Sequence, residues 1–480
     1  MNQKLINQKR VLLIVPLGLG RYEKPTIPHA GIAYLAAFLR QNKHLVQIMD
    51  MRLYPNYKDL RLKIEKFKPH FIGMNLISLG YINSYKLINK IKKEFNIPFI
   101  VGGPHSSIIE EKILRECNAD YVVVGEGEFT LLELVEGKPL KDILGLCWKN
   151  SEGKIIKNPP RPFYHELDKL PFPAYELFEM NKFLVRRIPL VSSRGCPHQC
   201  TYCSVKFVVG RAFRFRSAKN VVDEIEYWYK KGFRLFEFSD DNFTCLKNRV
   251  HEICDDIIKR GLKINFALGS GIRADKVDDE QIKKLKQAGC TNIAFGIESF
   301  DPYVLKSIKK AEPPEVIINA IKIVHKYKIR TQGNLIIGLP ESTFESFLND
   351  LRITRELKIN NVRFYNLVPY PETELYTWIK ENGTFLLNPE DYLNFSDYWE
   401  NRAVFETLEF TAKERRNAFE MGMLNYMDLF LKEKFGRLIG SILYNLYKNR
   451  FIRENFFSFG KKVYMSFKWV QTQIFHKDEA

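Results

Sequence analysis

The sequence predicts an α/β protein made of two successive strand–helix modules followed by a mainly helical C-terminal extension. Short apolar runs alternate with amphipathic stretches in the first third of the chain, and the alternation restarts near residue 189 after a proline-rich stretch. Such alternation is typical of parallel sheets that are covered by helices. With 480 residues, 45% of them hydrophobic and 27% charged, the chain suits several globular domains and not a disordered one.

The first module is predicted to be Rossmann-like and to occupy residues 1–140. Its strands are expected at Val11–Val15, Leu45–Met49, Phe71–Leu76, Pro98–Val101 and Tyr121–Val124. Its helices are expected at Ile32–Asn42, Leu60–Phe67, Ile82–Phe95 and Glu111–Glu116. Ligands of such folds bind at the carboxyl ends of the strands, where this chain has glycines that let a bulky ligand approach the backbone. A nicotinamide cofactor is not indicated, because Gly18-Leu-Gly20 lacks the third glycine of the dinucleotide fingerprint.

Residues 141–184 are predicted to connect the modules. Gly145–Lys149 and Lys154–Lys157 flank Asn150-Ser-Glu-Gly153, a pattern that indicates a surface hairpin. Prolines then cluster in Asn158–Pro162 and Leu170–Ala174, which favours a stiff, extended segment. The boundary between the domains is expected in this stretch.

The second module is predicted at residues 185–385 as a partial (β/α)6 barrel. Its strands are expected at Pro189–Ser193, Leu235–Ser239, Ile264–Leu268, Asn292–Ile297, Gly333–Ile337 and Val362–Leu367. A closed barrel of this type has eight strands. A three-quarter barrel leaves a lateral opening through which a cofactor held by another domain could face the interior.

Three closely spaced cysteines are the most informative feature of the chain. Cys196, Cys200 and Cys203 form a Cys-x3-Cys-x2-Cys pattern directly after the first barrel strand, and the other cysteines are scattered singly. Iron–sulfur clusters usually have four Cys ligands, so a cluster held by three keeps one iron open for chemistry. A structural zinc site with His198 as fourth ligand and free thiols of a reducing compartment are the alternatives.

This cysteine loop, with the aromatic Tyr202 before its last cysteine, resembles the signature of the radical S-adenosylmethionine (SAM) superfamily. The resemblance covers about residues 185–385 and implies a 4Fe-4S cluster on the three cysteines, with SAM chelated to the open iron. Polar or glycine-rich motifs end the later strands in the family's order, which disfavours the zinc alternative. Asp240 and Asp241 could cap the next helix instead of binding SAM. The implied SAM contacts are Tyr202, Ser239, Asp240, Asp241, Arg273, Glu298, Ser299, Gly333, Ile336 and Gly338.

Val101-Gly-Gly-Pro-His105 and Val124-Gly-Glu-Gly127 resemble the cobalamin-binding domain that precedes the barrel in one branch of this superfamily. The resemblance covers about residues 10–137. The Asp-x-His-x-x-Gly motif that places a His beneath the cobalt does not occur, and His29 and His105 are expected to make ordinary loop hydrogen bonds. Many relatives lack this His and leave the lower face unligated; a degenerate domain without corrinoid is the alternative. The implied cobalamin contacts are Leu17, Gly18, Ser78, Leu79, Gly102, Gly103, Pro104, Gly125, Glu126 and Gly127.

The resemblance implies a radical SAM enzyme, and we expect a cobalamin-dependent C-methyltransferase that acts on an unactivated carbon. A cobalamin-dependent cyclase or rearrangement enzyme and a non-catalytic corrinoid-binding module with a structural cluster are the alternatives. Methylthiolation of transfer RNA is disfavoured, because the extra N-terminal cysteine triad of that family is missing and no basic RNA-binding barrel is evident after residue 390. The expected partners are a small-molecule or lipid-like substrate and an external electron donor of the flavodoxin or ferredoxin type.

The net charge of +18 suits an anionic partner. Part of this excess lies between Phe430 and Val470, in the extension predicted at residues 386–480, where basic and apolar residues are interleaved. A basic amphipathic helix on a membrane surface and the solvated face of an ordinary helical cap both explain the pattern. No specific nucleic acid partner is expected. No segment reaches the about 18 apolar residues that span a bilayer, no signal peptide is indicated, and we expect a cytoplasmic protein.

Overall fold

The computed structural model describes residues 8–17, 25–394, 402–449 and 452–453. Its N-terminal module contains a seven-stranded sheet in the order β2-β1-β3-β4-β5-β6-β7, in which β1 to β5 are parallel. The strands are β1 (Arg10–Val15), β2 (Leu45–Asp50), β3 (Phe71–Asn75), β4 (Phe99–Gly102), β5 (Tyr121–Val123), β6 (Leu146–Lys149) and β7 (Ile155–Lys157). The helices are α1 (Ala30–Gln41), α2 (Tyr57–Phe67), α3 (Tyr81–Glu94), α4 (Pro104–Ile109), α5 (Ile113–Glu116) and α6 (Glu128–Val135).

The hairpin predicted in the connector forms, but it belongs to this sheet. Its strand β6 pairs antiparallel with β5, and β7 pairs with β6. Leu146 and Cys147 are at most 1% exposed, whereas the turn at residues 151–154 is exposed, so only the base of the hairpin is buried. Each of its strands is too short to reveal from sequence which neighbour it joins. Helices α4 and α6, which were not predicted, begin at the glycine loops that follow β4 and β5.

The second module contains a six-stranded parallel sheet in the order β15-β14-β13-β12-β11-β8. Its strands are β8 (Arg187–Leu190), β11 (Leu235–Phe238), β12 (Asn265–Ile272), β13 (Cys290–Glu298), β14 (Arg330–Ile337) and β15 (Asn361–Asn366), and the short antiparallel pair β9 (Ser193–Arg194) and β10 (Arg214–Phe215) lies between the first two. The helices are α7 (Val205–Val208), α8 (Ala218–Lys230), α9 (Lys247–Lys259), α10 (Asp279–Gln287), α11 (Pro302–Ser307), α12 (Pro314–Lys326), α13 (Phe344–Glu356) and α14 (Glu374–Asn382).

The two faces of this sheet differ in chemistry. On β13, Ile293, Phe295 and Ile297 are at most 1% exposed and belong to the hydrophobic core beneath the helices. Alternate residues of a strand point to opposite faces, so Gly296 and Glu298 face the barrel interior. The apolar outer face drives the packing of the helices, and the interior is left to small and polar groups.

The proline-rich connector packs between the modules and is not a free spacer. Tyr175 is fully buried, and its hydroxyl donates to the backbone oxygen of Pro189 at 2.7 Å. The backbone N–H of Ala174 donates to Ala33 O of α1 at 3.1 Å. One segment thus contacts both the N-terminal helix layer and the first barrel strand, which fixes the two modules against each other.

The C-terminal part contains α15 (Pro389–Tyr392), the antiparallel pair β16 (Thr384–Phe385) and β17 (Phe405–Glu406), α16 (Ala412–Phe435) and α17 (Arg437–Lys448). Helix α16 packs against the edge strand β15. None of the helices in the described ranges combines the length and the apolar character that a membrane span requires. Much of the basic stretch noted in the sequence lies outside the described residues.

Candidate functional site

The carboxyl ends of the N-terminal strands and the mouth of the barrel face one cavity of about 290 Å³. The predicted cobalamin contacts that line it are Gly102, Gly103, Pro104, Gly125, Glu126 and Gly127. From the second module, Ser239 and Asp241 line it together with Ser193 and Arg194, which come directly before Gly195-Cys196. The cavity therefore joins the predicted cobalamin loops to the base of the cysteine loop.

The loop after β4 is a turn that only glycine fits. Gly103 has a φ of +100°, and a Cβ there would lie 2.2 Å from Asn75 Oδ1 and 2.9 Å from the backbone oxygen of Leu76. Residues with a side chain rarely adopt this conformation, and the contacts would forbid one. The cavity continues beneath this loop past Gly73, where a Cβ would lie 2.8 Å from Leu13 Cδ2. Glycines thus leave the wall of the cavity without side chains at Gly73 and Gly103. A bulky corrinoid needs such space, so these residues fit cobalamin.

Glu126 ties the loop after β5 to the cysteine loop. Its carboxylate accepts hydrogen bonds from Arg194 Nη1 at 3.0 Å and from Arg214 Nη1 at 2.8 Å, and Arg194 Nη2 donates to Glu128 Oε1 at 2.7 Å. These four side chains are between 2% and 11% exposed. Burial alone would raise the pKa of Glu128, but Arg194 holds it below its ordinary value. Glu126, a predicted cobalamin contact, thus reaches the cavity while its carboxylate is paired with two arginines.

The three signature cysteines lie in an irregular loop between β9 and α7, where they are partly buried free thiols. The backbone N–H of Cys203 donates to Cys200 O at 3.2 Å, which makes a turn inside the motif. Burial raises the pKa of Cys196 and raises that of Cys203 to about 11. An activated nucleophilic cysteine shows the opposite shift, so Cys196 and Cys203 are not primed as nucleophiles.

The three thiols fit the donor set of an iron–sulfur cluster. In the described part of the chain, no three His, Cys, Asp or Glu side chains converge as the ligands of one metal ion. The cysteines of a 4Fe-4S cubane bind different irons and need not converge on one point, so a loop of three thiols fits that group. His198, the fourth ligand of the zinc alternative, has a buried Nε2 without a hydrogen-bond partner.

The adjacent carboxylates Asp240 and Asp241 have different surroundings. Asp240 is 2% exposed and accepts from the Ser192 backbone N–H at 2.6 Å, from the Ser192 hydroxyl, and from Ser193 Oγ at 2.9 Å. It therefore holds the segment that leads into the cysteine loop, whereas Asp241 lines the cavity and accepts from Gly195 N at 3.3 Å. Neither one caps α9, whose N-cap residue is Leu246.

Tyr202 connects the cysteine loop to the barrel interior. Its hydroxyl donates to Glu298 Oε1 at 2.9 Å, and burial together with this carboxylate raises the tyrosine pKa well above its ordinary value. Lys310 Nζ lies 3.4 Å from the same oxygen and 3.3 Å from Glu312 Oε2. Tyr202, Glu298 and the predicted SAM contact Ile336 line a second cavity inside the barrel.

Arg273, the predicted partner of the SAM carboxylate, is engaged within the protein. Its Nε donates to Asp275 Oδ1 at 3.0 Å and lies 3.8 Å from Glu312 Oε1, and its Nη1 donates to Lys310 O at 2.8 Å. The guanidinium would have to exchange one of these partners to bind SAM. The buried ammonium of Lys310, which sequence reasoning missed, is the neighbouring cation.

The other predicted SAM contacts lie away from the two cavities. Ser299 is 2% exposed and donates through Oγ to Asp350 at 2.9 Å. Gly333 faces the outer layer, since a Cβ there would lie 2.8 Å from Ile297 Cδ1. Gly338 has a φ of +90° and is covered by Arg415, whose Nη1 would lie 2.5 Å from a Cβ at that position.

The remaining cobalamin predictions lie at the border of the first module. Ser78 Oγ lies 3.3 Å from His105 Nδ1, and Leu79 and Leu17 pack on the hydrophobic core. Gly18 lies outside the described residues. His105 also lies 2.9 Å from the Tyr85 hydroxyl through Nε2, so it makes the ordinary hydrogen bonds expected of it.

Sequence reasoning missed Arg194, Arg214 and Lys310. Arg194 carried a usable signal, because it directly precedes the Gly-Cys that opens the cysteine motif. Arg214 and Lys310 stand in no recognisable pattern, and only the folded chain shows that they reach Glu126 and Glu298.

Two family models match the chain. The model of the radical SAM superfamily matches residues 190–353, and the model of the B12 binding domain matches residues 21–135. An uncharacterized methyltransferase of Pyrococcus horikoshii, PH0819, is 32% identical over 440 residues, which span 88% of this chain and 93% of that protein. This chain belongs to the B12-binding branch of the radical SAM superfamily. It is an enzyme of that superfamily, whose cofactors are a 4Fe-4S cluster and SAM, with cobalamin added by the B12 binding domain.

Two further similar proteins cover most of the chain. The anaerobic magnesium-protoporphyrin IX monomethyl ester cyclase of Rubrivivax gelatinosus is 26% identical over 85% of this chain and 74% of that protein. The solved structure of the radical SAM methyltransferase TsrM from Kitasatospora setae, with cobalamin and a 4Fe-4S cluster bound, superposes with a TM-score of 0.66 at 18% identity, covering 78% of this chain and 75% of that one. The shared fold is an N-terminal B12-binding domain followed by a radical SAM barrel.

Proposed function

We propose that this protein is a cobalamin-dependent methyltransferase that adds a methyl group to an unactivated carbon. The observation that carries the proposal is the cavity of about 290 Å³ between the modules. The glycine loops of the B12-binding domain line one side of it, and Arg194 and Asp241, at the base of the cysteine loop, line the other. A shared cavity of this kind supports a reaction in which one substrate meets both cofactors.

When bound, the cluster and SAM supply a 5′-deoxyadenosyl radical that removes a hydrogen atom, and cobalamin supplies the methyl group. The side chains of this protein bind and orient. We assign the cluster to Cys196, Cys200 and Cys203, and the SAM ammonium to Asp241, whose carboxylate lines the cavity and can accept a hydrogen bond. Asp240 keeps the cysteine loop in place through Ser192 and Ser193.

The relatives support methyl transfer and also keep a second candidate open. PH0819 and TsrM are named as methyltransferases. The Rubrivivax protein is a cyclase, which favours a cobalamin-dependent ring closure as the alternative. A third hypothesis, that the protein is a corrinoid-binding module with a structural cluster, predicts no cleavage of SAM.

Transfer of a labelled methyl group tests the proposal without knowledge of the substrate. Anaerobic holoenzyme is incubated with SAM that carries a trideuterated methyl group and with reduced cobalamin. We expect the label on the corrinoid and an equal amount of S-adenosylhomocysteine, both measured by mass spectrometry. A protein that binds cobalamin and SAM and transfers no label would contradict methyl transfer and favour the cyclase.

We also propose the setting of the reaction. A reduced cluster needs an external electron donor of the flavodoxin or ferredoxin type and a reducing compartment, which favours the cytoplasm. Leu438, Ile439 and Ile442 of α17 are between 55% and 78% exposed beside basic residues, which supports peripheral contact with an anionic membrane.

A further inference from the structure

The interior of the barrel is built to hold a polar ligand. Its cavity of about 400 Å³ is lined by Gln332, Asn334 and Ile336 of β14 and by Arg363 and Tyr365 of β15, among others. Closed barrels fill this space with Val, Ile and Leu. On β15 the apolar residues Val362 and Phe364 face outwards and are at most 5% exposed, and Arg363 between them lines the cavity.

Arg363 is the one cation among the described residues that line this cavity. Burial lowers the pKa of Arg363, but the phenols of Tyr365 and Tyr426 more than offset burial and hold that pKa above its ordinary value. The guanidinium carbon lies 5.8 Å from the Tyr426 ring centre. It forms no ion pair with an Asp or Glu of residues 8–17, 25–394 or 402–449. The neutral phenols stabilise this partly buried cation without cancelling its charge, which a bound anion would do.

The other polar groups of the cavity agree with this charge. Both amide atoms of Asn366 are buried and without a hydrogen-bond partner, so the amide nitrogen has a donor to offer. The one carboxylate among the described lining residues is that of Glu298, and it is already shared by Tyr202 and Lys310 at the end of the cavity near the cysteine loop. An anion beside Arg363 therefore meets no uncompensated negative charge.

We infer that Arg363 binds an anionic group of the substrate, a carboxylate, phosphate or phosphonate, inside the barrel. This inference rests on the proposed function, since it names the class of substrate that the proposed methyl transfer would use. It narrows the expected small-molecule or lipid-like substrate to one that carries an anion. The carboxylate of SAM has the same chemistry, and the test must separate these two sources.

Titration with small anions tests the inference without turnover. Methylphosphonate and acetate are titrated into anaerobic holoenzyme that is saturated with SAM, and binding is measured by calorimetry. We expect saturable binding that weakens at least about tenfold, about 1.4 kcal/mol, in Arg363→Met and is partly retained in Arg363→Lys. Arg352→Met is the matched control and should bind as wild type, because Arg352 is an exposed residue of α13 that pairs with Glu356.

The affinity for SAM, measured by equilibrium dialysis on the same variants, separates the sources. Unchanged SAM affinity with lost anion binding supports the inference. Lost SAM affinity in Arg363→Met, undiminished anion binding in that variant, or no saturable binding by wild type would each overturn it. Because the readout is binding, it stands independently of whether labelled methyl transfer succeeds.

Discussion

Substitution of Arg194 by Met is expected to lower the free energy of unfolding by about 3 to 5 kcal/mol. Arg194 donates to Glu126 and Glu128, and all three side chains are at most 11% exposed. Without the guanidinium, Glu128 keeps a buried carboxylate that lacks its cation, and Glu126 keeps Arg214 and the Tyr164 backbone N–H as donors. Urea denaturation of the full chain, followed by circular dichroism, measures the loss.

The double variant Arg194→Met/Glu128→Gln provides the control for this prediction. Neutral Gln removes the uncompensated charge, so the double variant should recover part of the stability. Together with the two single variants it forms a double-mutant cycle, which gives the interaction energy between Arg194 and Glu128. The surface pair Arg352–Glu356, about 60% exposed, gives the comparison, because exposed pairs contribute at most about 1 kcal/mol. A loss below about 1 kcal/mol in Arg194→Met would contradict the buried network.

Substitution of Gly103 by Ala is expected to weaken cobalamin binding at least about tenfold, about 1.4 kcal/mol. The Cβ would collide with Asn75 Oδ1 and the backbone of Leu76, and the φ of +100° is strained for Ala. The loop must then move, and it forms the wall of the cavity that we assign to the corrinoid. Absorbance of cobalamin retained after equilibrium dialysis measures the affinity.

Gly137→Ala is the matched control for the backbone strain. Gly137 also has a positive φ, +81°, but a Cβ there would meet nothing within 4 Å, and the residue does not line the cavity. This variant should therefore bind cobalamin like wild type. If Gly103→Ala binds cobalamin with the same affinity as wild type, the loop after β4 is not part of the cobalamin site.

The strands and the cysteine loop could be predicted because their signals are local. A short, continuous apolar run such as Val11–Val15 is typical of a strand that is buried on both faces of a parallel sheet. The cysteine motif occupies only the eight residues Cys196–Cys203, and its spacing indicates its chemistry before the fold is known. Two of the predicted cobalamin loops, those after β4 and β5, likewise carry their own glycines, and they do meet at one cavity.

The pairing of side chains could not be predicted, because it depends on residues that are distant in sequence. Arg194 is 68 residues from Glu126, and Arg273 is 37 residues from Lys310, whose carbonyl it binds. The adjacent residues Asp240 and Asp241 look alike in the sequence, but in the folded chain one accepts from Ser192 and the other lines the cavity. The motif residues of the site could be predicted from sequence, whereas their partners depend on the fold.

The most direct test of the central claim is the amount of 5′-deoxyadenosine formed from SAM by anaerobically reconstituted protein with a strong reductant and cobalamin. We predict clear production by wild type, none above background in Cys200→Ala, and retention in Cys245→Ala, a cysteine outside the motif. Production that persists in Cys200→Ala, or its absence from wild type with a fully loaded cluster and each cofactor bound, would contradict the assignment of this chain's cysteine loop to radical SAM chemistry.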